Sequence, residues 1–74
     1  MDFSDKLIYV RKKLFLSQQA MANELNVSYA TVNRWETGKF KPNYKAQKAF
    51  YDFCIRQHIV FDDNTNKEGI IVNE

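Results

Sequence analysis

Seventy-four residues allow one small domain whose core leaves little stability to spare. The single cysteine, Cys54, excludes an internal disulfide and suits a reducing compartment. No run approaches the roughly 20 apolar residues that a membrane span needs, and Asp2, Asp5 and Lys6 break any signal-peptide pattern at the start. The expected setting is therefore the cytoplasm. The formal charge of +2 conceals an asymmetry: residues 1–58 carry ten Lys and Arg against five Asp and Glu, whereas residues 59–74 carry one Lys against four acids. A basic body with an acidic tail suits a nucleic-acid partner. With two glycines and one proline, the chain favours helices over strands.

In chain order, Phe3, Leu7, Val10 and Leu14 recur at three- and four-residue steps, which predicts an amphipathic first helix. Ser4 and Asp5 stand near its start, and Arg11, Lys12 and Lys13 fill its last turn, where cations suit the dipole. Ser17 is placed to cap a short second helix over Gln18 to Leu25, with Met21, Ala22 and Leu25 on one face. Asn26 tolerates the left-handed conformation of a tight turn. Ser28 caps a third helix, running from about Ser28 to Thr37, with Val32 and Trp35 inward and Gly38 as its C-terminal cap.

Lys39 to Asn43 is a basic loop containing Pro42. A fourth helix begins near Tyr44, buries Ala46, Ala49, Phe50 and Phe53, and ends near Gln57 or His58. Two β-favouring runs follow, Ile59-Val60-Phe61 and Ile70-Ile71-Val72, with a polar stretch between them. They suit either a small hairpin or a loose tail. The predicted fold is all-α: a compact four-helix bundle over residues 1–58, with a C-terminal extension over 59–74.

The ungapped segment from Leu16 to Pro42 resembles the Xre family, the helix-turn-helix family of the lambdoid phage repressors and Cro. Gln18 stands at the first position of the motif, and Ala22 is the small residue where its two helices cross. Val27 and Val32 fill the space between them. Trp35-Glu36-Thr37-Gly38 matches the family's close to the recognition helix, and Pro42 its usual continuation. There are two departures. Asn26 replaces the more common glycine of the turn, and one longer helix follows the proline where the family usually has two short ones. The resemblance also implies an ion pair, because Arg11 and Glu36 match an Arg that closes helix one and a Glu of the recognition helix. The pair would tie helix one to helix three.

A helix of this kind fits the major groove, and short side chains let its N-terminal end approach base edges. The candidate base-contacting residues are the outward ones, Ser28, Tyr29, Ala30, Thr31, Asn33 and Arg34. Ala30 can meet a thymine methyl, and Arg34 can take guanine bidentately. Tyr29 suits either a base or the sugar-phosphate backbone. The candidate phosphate contacts are Gln18, at the positive end of the second helix, and Lys39 and Lys41 just past the third.

Enzymatic chemistry has little support. His58 and Cys54 lie four apart with no third ligand, and Asp62 and Asp63 lack the spacing of a calcium loop. No metal or cofactor is expected. The expected function is sequence-specific binding of double-stranded operator DNA to regulate transcription, as a homodimer on a pseudo-palindrome. Two alternatives are an antitoxin or anti-repressor that docks a protein partner through its C-terminal extension, and the DNA-targeting domain of a larger enzyme.

Overall fold

A computed structural model describes residues 2–61. Four helices follow one another: α1 (Phe3–Lys13), α2 (Gln18–Leu25), α3 (Tyr29–Glu36) and α4 (Tyr44–Arg56). No strand occurs among the described residues. Each helix opens on a polar cap whose side chain accepts from a first-turn amide. Asp2 accepts from Asp5, Ser17 from Ala20, Ser28 from Thr31 and Asn43 from Ala46, at 2.8–3.1 Å. Each cap supports its helix by about 0.5–2 kcal/mol.

The start of α1 differs from what local sequence implies. The cap is Asp2, and Ser4 lies inside the helix. The Ser4 hydroxyl instead donates to the Glu36 carbonyl at 2.9 Å, tying α1 to the end of α3.

The helices also end alike. Phe15, Asn26, Gly38 and His58 take left-handed backbone angles, with φ between 57° and 77°. In each case the following amide reaches back five residues: Leu16 to Arg11, Val27 to Ala22, Lys39 to Arg34 and Ile59 to Cys54. These are Schellman closures, which satisfy carbonyls that a helix end would leave free. Asn26 and Gly38 are residue types that announce such a reversal. Histidine at position 58 is a weaker signal of the same kind, and Phe15 gives none, since a bulky aromatic residue rarely takes φ above zero.

The core takes Leu7 and Val10 from α1, Met21, Ala22 and Leu25 from α2, Val32 and Trp35 from α3, and Phe50, Phe53 and Cys54 from α4. α3 packs on both α1 and α2, and α4 packs on α2. Ala46 and Ala49, on the inner face of α4 by periodicity, are only half-buried. Phe3 meets Trp35 and Phe50 edge-on, with ring centroids 5.7 and 5.1 Å apart.

Ile59 to Phe61 is not a strand. The reversal at His58 folds this segment back, so that Ile59 is buried and Phe61 packs against Tyr9, Phe50 and Tyr51. Lys6 covers the assembly, its Nζ 5.5 Å from the Tyr51 ring centre and 5.2 Å from that of Phe61. The packed body therefore continues at least to Phe61. The remainder of the predicted hairpin or tail, residues 62–74, lies outside the described residues. No helix among the described residues is long and apolar enough to cross a membrane.

Candidate nucleic-acid interface

The turn at Asn26 and Val27 sets α3 against α2 and decides which face of α3 is left outside. Val32 and Trp35 go inward at the helical repeat. Ser28, Tyr29, Ala30 and Arg34 are exposed, and Thr31 and Asn33 are half-buried at the margins of the same face. Three of these polar groups are already engaged, Ser28 and Thr31 with each other and Asn33 with Gln18. Ser28 Oγ caps the helix, and it lies 2.8 Å from Thr31 Oγ1. Tyr29, Ala30 and Arg34 carry the most open part of the face.

Arg34 lies over the ring of Phe40, its guanidinium carbon 5.7 Å from the ring centre. Phe40 is a neighbour of this face that the motif alone does not single out, because it stands between Lys39 and Lys41 in a loop of basic character. An exposed aromatic ring beside the end of an Arg-bearing helix was the available signal. Stacking of this kind limits where a guanidinium can swing. Lys39 and Lys41 are both exposed on this loop. The loop leaves a groove of about 270 Å³ bounded by Phe3, Trp35, Phe40 and Pro42.

The structure brings Arg11 and Glu36 together. Arg11 Nε donates to Glu36 Oε2 at 2.6 Å and Nη2 to Oε1 at 3.0 Å, a two-pronged ion pair. Nη1 donates to the Leu16 carbonyl at 3.1 Å, so the same guanidinium also ties down the α1–α2 turn. The side chains are 17% and 7% exposed, which shields the pair from much of the surrounding water. The hydrogen bond to Glu36 holds Arg11 above its ordinary pKa, against the opposing pull of lost solvation.

Gln18, the first residue of α2, joins this pair. Its Nε2 donates to Glu36 Oε1 at 3.0 Å, and its Oε1 accepts from Asn33 Nδ2 at 3.4 Å. The motif marks Gln18 as a phosphate contact alone. Its protein partners are not visible in local sequence, because they lie 15 and 18 residues away. Its position remains at the N-terminus of α2, where the helix dipole and first-turn amides favour an anion.

Cys54 is buried in the core, and burial pushes its thiol up to about 11. No group of three or more His, Cys, Asp or Glu side chains gathers among the described residues.

Comparison with known proteins agrees with this arrangement. The profile of a helix-turn-helix family matches residues 7–46, from α1 into the first turn of α4. Over 53 residues the chain is 36% identical to the HTH-type transcriptional activator BcrR of Enterococcus faecalis, a match that covers 72% of this chain and 26% of that protein. The chain thus spans about a quarter of the relative's length. No solved structure matches. With the family profile covering over half of the chain, and with α2, its turn and α3 built as that motif requires, the protein belongs to the Xre-like helix-turn-helix family of DNA-binding domains.

Proposed function

We propose that the protein binds operator DNA in a sequence-specific manner and regulates transcription, with α3 lying in the major groove. The carrying observation is the exposed face of α3, where Tyr29, Ala30 and Arg34 stand open to a groove. In this reading Arg34 takes a guanine edge, Ala30 meets a thymine methyl, and Ser28, Tyr29, Thr31 and Asn33 complete the contact set. Gln18, Lys39 and Lys41 contact phosphate on either side and set the register. The similarity to a transcriptional activator supports a role at a promoter. One such module buries only about 600–1,000 Å² against DNA, so the working form is a homodimer on two half-sites.

Selection of bound sequences from a random duplex pool tests this. The expected product is a pseudo-palindrome with half-site centres about 34–36 Å apart, one helical turn or a multiple of it. Arg34→Ala should relax base choice at one position and cost about 1–3 kcal/mol on the preferred site. Equal recovery of all sequences by the wild-type protein would refute sequence-specific binding.

A further inference from the structure

Four side chains from three helices form one hydrogen-bonded line, Arg11 to Glu36 to Gln18 to Asn33. Its chemistry gives it a direction. Arginine only donates, and an ionised carboxylate only accepts. Glu36 can therefore receive only the amide nitrogen of Gln18, never its oxygen. Gln18 Oε1 is then turned the other way, and it must take a donor. Asn33 meets it with Nδ2. The orientation of an amide is decided by its partners, and here the first two partners leave one choice at each later step. The 3.4 Å link between Gln18 and Asn33 is the longest and softest of the line.

The consequence falls on Asn33, which lies half-buried at the margin of the exposed face of α3. One Nδ2 hydrogen is committed to Gln18. The other, together with Oδ1, remains as a donor–acceptor pair of fixed polarity. Adenine offers the complementary pair in the major groove, an N6 donor beside the N7 acceptor, whereas guanine offers two acceptors at O6 and N7. A free asparagine can turn its amide over. An asparagine held by a polarised line cannot do so without breaking the link.

We propose that Asn33 selects adenine over guanine at one position of each half-site, and that Gln18 and Glu36 are positioning residues that fix its amide. This rests on the operator-binding reading above and adds to it a base, a residue and the origin of the preference.

The test compares wild type, Gln18→Met and Asn33→Ala on duplexes that carry each of the four bases at every position of the selected site. Gln18→Met keeps the length of the side chain and removes both of its polar atoms. The wild type should favour adenine over guanine about tenfold at one position, the scale of a good bidentate contact. That preference should fall severalfold with 7-deazaadenine, which lacks the N7 acceptor. Gln18→Met should shrink the adenine-to-guanine ratio at that position alone and leave the preference assigned to Arg34 intact. Asn33→Ala, at the margin of an exposed face, should abolish the same ratio, and the double variant should go no further.

If Gln18→Met weakens all four duplexes equally, Gln18 touches phosphate only and the proposal fails. It fails also if Asn33→Ala leaves every base preference unchanged. A wild type with no preferred sequence would instead overturn the operator reading itself.

Discussion

Two junctions hold α1 in place, and they use opposite kinds of force. At one, Arg11, Glu36, Gln18 and Asn33 join α1, α2 and α3 through hydrogen bonds that have direction and fixed partners. At the other, Phe3, Phe50, Tyr51 and Phe61 join α1, α4 and the segment after α4 through ring contacts 5.1–6.5 Å between centres. Apolar burial is non-directional and scales with area. A polar line gains little net free energy over water, yet it is costly to break and strict about orientation. The two junctions therefore divide the labour. The ring cluster supplies stability, and the polar line sets the geometry of the exposed face of α3.

The largest expected break is Phe50→Ala. Phe50 is fully buried and touches Phe3, Tyr51 and Phe61. Its truncation should cost about 3–5 kcal/mol in denaturant melting, a large part of what so small a domain holds. Base preference, measured on the fraction still folded, should not move. A shift in preference would mean that the ring cluster also sets the orientation of α3.

Glu36→Ala should come next, at about 2–4 kcal/mol, because it strands the largely enclosed Arg11 and removes the acceptor of Gln18. This is set somewhat below a fully buried pair, since the Arg11 side chain retains 17% exposure. A double-mutant cycle with Arg11→Ala should return a coupling above about 1 kcal/mol. The Lys48–Asp52 pair is an internal standard. It is also short, at 2.8 Å, but 63% and 47% exposed, and its coupling should stay below about 0.5 kcal/mol. Equal couplings for the two pairs would erase the claim that enclosure strengthens the first.

The last effect concerns Cys54 and is nil at neutral pH. Its folded-state thiol titrates near 11, above the ordinary 9.0. The unfolded thiol loses its proton first as pH rises, so this contribution is whole below pH 9 and is lost between pH 9 and 11. Wild type should therefore lose stability faster than Cys54→Ala across that window in parallel melts. Identical slopes would show a thiol open to water.

Much of this was legible in the sequence, for identifiable reasons. Helix faces repeat with period 3.6, so Leu7, Val10, Val32 and Trp35 declared their burial. Ser17 and Ser28 declared two helix starts, and the segment from Leu16 to Pro42 declared the motif. What stayed hidden depends on distance along the chain. Ser4 and Asp5 do stand in the first turn of α1, but the cap is Asp2, and the Ser4 hydroxyl finds its partner at Glu36, 32 residues away. Ile59 to Phe61 resembles a strand by composition, yet the turn at His58 delivers it to a ring cluster that no local pattern reveals. Gln18 and Asn33 each look like surface residues facing DNA separately. Only the crossing of α2 and α3 makes them neighbours.

The left-handed residues that end the helices matter for the unfolded chain as well. Glycine accepts φ near +60° without strain, and only Gly38 among the four is glycine. At Phe15, Asn26 and His58 a side chain occupies the strained conformation, which costs the native state on the order of 1–2 kcal/mol, less for asparagine. The same side chains narrow the backbone states open to the denatured ensemble, which returns roughly 0.4–1 kcal/mol at each position. The two effects act on opposite sides of the folding equilibrium and nearly offset at Asn26. At Phe15 the strain outweighs the return, and the ring, 95% exposed, adds no packing to make up the difference. The stability of these reversals is thus set as much by how little freedom the chain has before it folds as by any contact it makes afterwards.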